Sequence, residues 1–252
     1  MVQKILSAFA FLICIVFCEA QKTLPYSIHK KFEGNNGAVV SAHPLASQAG
    51  LAILKQGGNA VDAAIATQLA LAVVYPGAGN LGGGGFMVAY LQSGETVAID
   101  YREKAPGKAH RDMYLDSLGN PITQLSLQGA LAAGVPGTVS GLFTSLEYAK
   151  LPFKKLIAPA IELAEKGFAI TAAEARSLNA GKATFLKNNK NAVAFVKDSK
   201  WQEGDDSKWQ EGDILIQPQL SATLKRMSRR GAKGFYEGKT AELIVAEMKR
   251  SM

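Results

Sequence analysis

The chain is nearly devoid of cysteine. Of its 252 residues only Cys14 and Cys18 carry a thiol, and both lie in or directly behind the apolar run Ile5–Phe17. Lys4 ahead of that run, and Ala20 just before Gln21, complete the basic, apolar and small-residue parts of a secretory leader spanning residues 1–20. A lipoprotein signal would need a small residue before a cysteine, whereas Ile13 precedes Cys14 and Phe17 precedes Cys18. Cleavage after Ala20 would leave an exported chain, periplasmic or extracellular, with neither a disulfide nor a thiol nucleophile. Long apolar runs are lacking too. The leader segment is too short to span a bilayer, and Ala60–Val74 is broken by Asp62, Thr67 and Gln68. No integral membrane span is expected once the leader is gone.

Charge is sparse. Charged residues make up 19% of the chain and leave a net charge of +7, a dilute excess that suits weak attraction to anions and membrane surfaces. It is too diluted along the chain to signal a nucleic-acid binder by itself, and none is expected. Lys225, Arg226, Arg229, Arg230 and Lys233 recur at helical spacing and read as a solvated face near a helix C-terminus. Histidine is also scarce. His29, His43 and His110 are scattered with no carboxylate at ligand spacing, so no metal site is expected.

The apolar share of 48% is that of a globular chain. Residues 21–36 read as a loose polar tail, and residues 37–252 as one domain without an internal linker. Gly37–Ser41 reads as a short buried strand. Pro44 opens a helix that Gly57 and Gly58 close, with His43 at its start. Asn59 and Asp62 form a capping-box start for a helix running to Val74, apolar nearly all round and so expected inside the fold. Phe86–Leu91 and Thr96–Arg102 read as paired strands around Ser93-Gly94. From residue 120 the pattern turns helical, with a capping box at Thr171 and Glu174, stops at Gly167 and Gly231, and an amphipathic run Lys239–Met252. Asp198-Ser-Lys-Trp-Gln-Glu-Gly-Asp205 is repeated at once as residues 206–213, which reads as a duplicated surface loop.

Gly77-Ala-Gly79-Asn-Leu-Gly82 spells a dinucleotide fingerprint, but its context is inverted: a helix and Pro76 come before it and a strand after it. A pyrophosphate needs a helix N-terminus behind the glycines, so nucleotide binding is not expected. The alternatives for Gly82–Gly85 are a structural turn using positive φ and close backbone approach, or a wall against a ligand. Neither a G-x-S-x-G elbow nor a P-loop is present. Arg102 is the side chain of most chemical interest. By strand parity it shares a face with Thr96, Ala98 and Asp100. One reading pairs it with Asp100 or Glu103; the other has its planar fork grip a ligand carboxylate, with those acids as positioning neighbours.

Taken in order, Gly58-Asn-Ala-Val-Asp-Ala-Ala64, Gly79-Asn-Leu-Gly-Gly-Gly-Gly-Phe86 and Asp100-Tyr-Arg-Glu-Lys-Ala-Pro106 resemble the N-terminal part of gamma-glutamyltransferases. Gly134-Val-Pro-Gly-Thr-Val-Ser-Gly141 and Phe235-Tyr-Glu-Gly238 continue the resemblance. It implies a mixed α/β (α+β) fold, a partial four-layer αββα sandwich of the N-terminal-nucleophile hydrolases. It also implies a self-cleaving precursor whose small subunit starts with a nucleophilic threonine. That threonine attacks the gamma-glutamyl amide of glutathione and related compounds, and water or an acceptor amino acid or peptide resolves the acyl-enzyme. No cofactor is implied, since a terminal threonine brings its own amine as base. Arg102 is the position that the resemblance assigns to substrate binding, at the α-carboxylate of the gamma-glutamyl group.

The family's Thr-Thr-His context is not found, and Thr23 lacks the surrounding motif. No catalytic nucleophile is therefore assigned here. The expectation is a zymogen fragment, inactive alone, whose partners are the remainder of the large subunit and the small subunit. A non-catalytic exported binder of glutamyl carboxylates is the alternative.

Overall fold

In the computed structural model, residues 33–189, 193–197 and 207–251 are described. The leader, most of the tail, His29 and the first octapeptide copy lie outside them. The chain divides into two compact units, residues 1–36 and 37–252, and the second holds the elements below.

Helix α1 (Pro44–Lys55) starts where His43 Nδ1 accepts from Leu45 N, and Pro44 occupies its first turn. It stops at Gly57, whose φ of +88° lets Gly58 N reach back to Ile53 O. Helix α2 (Ala60–Val74) carries the expected capping box between Asn59 and Asp62. It is buried on nearly every side, with Leu69 and Val73 wholly enclosed. Gly50 lets α1 press onto α2, since a Cβ there would lie 2.2 Å from Thr67 Oγ1.

Strands β1 (Phe86–Tyr90) and β2 (Thr96–Asp100) form an antiparallel hairpin with Phe86 opposite Asp100 and Tyr90 opposite Thr96. Helices α3 (Thr123–Leu127) and α4 (Thr138–Ser145) follow. Helix α5 (Phe153–Lys166) buries Leu156, Ile157, Ala160 and Ala164, a stripe at helical spacing that packs on α2. Strand β3 (Phe168–Ala169) pairs with β4 (Ile214–Leu215), flanking α6 (Ala172–Asn188) with its Thr171–Glu174 capping box. Helices α7 (Pro218–Arg230), α8 (Lys233–Tyr236) and α9 (Lys239–Arg250) close the described chain, with α7 packed on α5. Buried Gln217 joins these layers: its Nε2 donates to Val73 O at 2.7 Å and its N to Ala164 O at 2.9 Å. Each bond satisfies a carbonyl in the last turn of a helix.

Two expectations need correction. Residues 37–41 form no strand and no ladder among the described residues, and Val40 is 90% exposed. β-Branched valines favour strands, but among the described residues no neighbouring strand is there to pair with them. The glycines of 77–85 do not adopt positive φ. They serve a different need, described below.

The buried carboxylate of Asp62 accepts from Asn59 N, from Lys150 N and from Leu151 N at 3.0 Å. Asn59 Nδ2 donates to Tyr148 O. The Gly58–Ala64 segment thus locks the start of α2 to the segment ahead of α5, about ninety residues away in sequence.

Candidate functional site

Four of the sequence stretches singled out above converge at the end of β2. Tyr101 and Arg102 leave the strand with Tyr101 N bound to Gly85 O at 3.0 Å. The backbone then bridges to the 134–141 segment through Lys104 N to Val135 O and Val135 N to Lys104 O, at 3.2 and 2.8 Å.

Glycines surround this exit because nothing larger fits. A Cβ on Gly84 would lie 2.6 Å from Arg102 Cα, and one on Gly137 would lie 2.1 Å from Tyr101 O and 2.6 Å from Arg102 O. Gly85 and Gly141 flank the Tyr101 ring, with hypothetical Cβ distances of 2.8 and 2.1 Å. Gly79 does the same at the end of α2, where a Cβ would meet Leu71 O at 2.0 Å. The glycine loop is a backbone-to-backbone cradle. Asn80 Oδ1 holds it by accepting from Gly83 N and from Thr138 Oγ1, both at 2.8 Å, while Gly83 O accepts from Gly137 N and Thr138 N.

Tyr101 points inward. Its hydroxyl lies 3.2 Å from Phe86 O and 3.3 Å from Gln68 Oε1. Burial pushes this phenol above its ordinary pKa, and the Gln68 hydrogen bond offsets part of the rise. Arg102 points the other way, onto the open face of the hairpin. Its side chain is 66% exposed, its Cζ stands 5.4 Å over the centre of the Phe86 ring, and its Nε is 3.8 Å from Asp100 Oδ1. Asp100 Oδ1 also accepts from Arg102 N at 3.0 Å. The carboxylate thus fixes the backbone of Arg102 and orients its stem. The terminal guanidinium nitrogens make no hydrogen bond among the described residues. Glu103 takes no part in pairing Arg102; its Cβ packs against Gly134.

A cleft of about 400 Å³ adjoins this exit, and Asp100, Arg102, Lys104, Ser140, Thr144 and Tyr236 are among its walls. Tyr236 Oη donates to Pro136 O at 2.8 Å and accepts from Ser140 N at 3.0 Å. Burial raises its pKa as well, against a smaller lowering by the Ser140 N–H. Another cavity, of about 370 Å³, lies beside α6 and is walled largely by Val74, Phe168, Ile170, Leu178, Phe185 and Leu215. The Glu174 carboxylate at its edge is already committed to His43 Nε2 and to Thr171. The cleft beside Arg102 is therefore the better candidate for binding an anion.

The gamma-glutamyltranspeptidase family profile matches residues 46–251. The chain belongs to that family. It is 45% identical over 216 residues to the glutathione hydrolase proenzyme of Escherichia coli K12, covering 85% of this chain and 36% of that protein. Among solved structures, Helicobacter pylori gamma-glutamyltranspeptidase shares 47% identity at a TM-score of 0.78, over 87% of this chain and 62% of that one. A cephalosporin acylase from Bacillus halodurans aligns at 25% identity and a TM-score of 0.72, covering 92% of this chain and 43% of the other. The architecture shared with these gamma-glutamyltranspeptidases, which are N-terminal-nucleophile hydrolases, is mixed α+β and partial. The chain thus spans little more than a third of the length of its curated gamma-glutamyltranspeptidase relatives.

Among the described residues no cluster of His, Cys, Asp and Glu could hold a metal ion, and no helix is long and apolar enough to cross a membrane. The basic cluster on α7 and α8 is largely engaged within the chain. Lys225 pairs with Glu165, Arg226 Nε donates to Thr240 Oγ1, and Arg230 and Lys233 approach Glu237. Sequence reasoning singled out Arg102 and Asp100 but missed Tyr101, Asn80, Thr138 and Tyr236 as supports. The signal was their placement inside the very motifs that carry the family resemblance.

Proposed function

We propose that this chain supplies the substrate-carboxylate clamp of a gamma-glutamyltransferase precursor, with Arg102 binding the α-carboxylate of the gamma-glutamyl group. The observation that carries this reading is the unpaired end of the Arg102 guanidinium, held over Phe86 by Asp100 beside an open cleft. A planar fork so placed can bind a carboxylate through two parallel N–H···O bonds. The family reaction then needs a threonine hydroxyl to attack the gamma-carbonyl carbon. The amide C–N bond breaks, the amine leaves with the hydroxyl proton, and an ester to threonine remains. Water hydrolyses that ester, or an acceptor amino acid or peptide takes the glutamyl group, and the threonine hydroxyl is restored.

On this reading residues 37–252 form part of a large subunit in an αββα sandwich. The open hairpin face carrying Phe86, Val88 and Tyr90 is the surface a second layer would cover. Residues 1–20 would direct export to the periplasm or beyond. No threonine of this chain has the family's nucleophile context, so residues 1–252 alone would bind gamma-glutamyl compounds without turning them over. The test is paired. Purified chain should release no aniline from a gamma-glutamyl anilide, and glutathione should raise its thermal midpoint unless Arg102→Ala is present. Aniline release would refute the inactivity, and an undiminished midpoint rise in the Ala variant would refute the clamp.

A further inference from the structure

We infer that Tyr236 is a positioning residue for the Arg102 clamp, acting through the 136–140 turn from the far end of the chain; the inference rests on the reading of Arg102 given above. Its hydroxyl sits across the mouth of that turn, donating to Pro136 O and accepting from Ser140 N. Ser140 lies in the first turn of α4, where a backbone N–H has no carbonyl within the helix to bind. The phenol supplies that acceptor and donates to the carbonyl of Pro136 at the same time.

Between the two bonded groups stands Gly137, the residue that abuts both carbonyl oxygens at the Tyr101–Arg102 exit. Gly137 N and Thr138 N are bound to Gly83 O on the other side. The turn is therefore gripped by the glycine loop on one flank and by Tyr236 on the other, with the Arg102 backbone in between. With no room even for a methyl group between Gly137 and these carbonyls, a shift of Gly137 is felt by the Arg102 backbone.

Tyr236 is itself rigidly mounted. Phe235 is buried, and its ring meets that of Tyr236 edge-on at 5.1 Å. Gly234 lies directly against Arg226 O, and Thr240 Oγ1 donates to Gly234 O. The α7–α8–α9 corner thus serves as a buttress that fixes one phenolic oxygen. Any phenol is protonated at neutral pH, so this hydroxyl can donate there, and partial desolvation pushes its pKa further up.

The experiment titrates glutathione and its glutamyl α-amide into the full chain, comparing wild type with Tyr236→Phe, Arg102→Ala and Thr171→Ala. Thr171→Ala removes the cap of α6 and acts as a control that lowers stability away from the site. Tyr236→Phe removes both neutral hydrogen bonds of the phenol and should weaken glutathione binding by about three- to tenfold, the part of that loss transmitted to Arg102. It should also shrink the preference for the acid over the amide, while Thr171→Ala leaves both unchanged. If Tyr236→Phe binds like wild type while Arg102→Ala does not, the inference is wrong and the clamp stands. Equal weakening by Thr171→Ala overturns the inference, since general loosening would then account for it. Unchanged binding in Arg102→Ala, or none in wild type, overturns the clamp and the inference together.

Discussion

Gly137 lies against the carbonyl of Tyr101 so closely that a single methyl group would stand 2.1 Å from the oxygen. This contact fixes where the chain turns off β2 and so where Arg102 is presented. Gly137→Ala must push the two segments apart, and a cost of about 1–3 kcal/mol is expected, in the range of overpacked core sites. Gly77→Ala is the matched control, because a Cβ there meets nothing within 4 Å. Urea midpoints check this, and equal midpoints for the two variants would contradict the cradle.

Asp62 should prove structural. Its buried carboxylate receives backbone N–H groups from Asn59, Lys150 and Leu151. Asp62→Asn places an amide donor among donors and is expected to lose about 2–4 kcal/mol in chemical denaturation. Glutathione affinity in the fraction that remains folded should be unchanged.

Alkaline pH should unfold the chain partly through two partly desolvated phenols. Tyr101 and Tyr236 both have raised pKa values, chiefly from desolvation. A raised folded-state value means that the folded chain holds its protons longer than the unfolded chain. The associated stability is intact below the ordinary phenol value of about 10 and is lost as pH rises through the raised values. Denaturant midpoints between neutral pH and about pH 11 should fall less steeply in Tyr101→Phe than in wild type.

Acid should act through Asp213, whose carboxyl is held below its ordinary value first by the hydrogen bond from Lys197 and then by Gln210 N. Its contribution is present above the unfolded carboxylate value of about 3.9 and is lost as pH falls through the lowered folded value. Asp213→Asn should flatten this part of the acid unfolding curve.

Local signals in the chain were readable and held. The capping boxes at Asn59–Asp62 and Thr171–Glu174 form within four residues, so spelling and geometry are nearly the same statement. Strand parity put Arg102 on the face of Thr96, Ala98 and Asp100, although β2 ends at Asp100, two residues earlier than the pattern suggested. What escaped was long-range. Nothing near Tyr236 indicates that its hydroxyl reaches Pro136, a hundred residues earlier. The glycine loop shows the same limit: glycine signals that a side chain is not tolerated, but the obstructing partner, here the Tyr101–Arg102 backbone, is fixed only by tertiary packing. Residues 37–41 had the composition of a strand without, among the described residues, a strand to pair with.

The most direct measurement is a double comparison of Arg102 with the carboxylate it is proposed to hold. Binding of glutathione and of its glutamyl α-amide is measured by calorimetry on wild-type chain and on Arg102→Ala. Wild type should prefer the acid by about tenfold or more, as loss of a charge-assisted pair implies, and the variant should bind acid and amide alike. A preference for the acid that survives intact in Arg102→Ala would contradict the assignment.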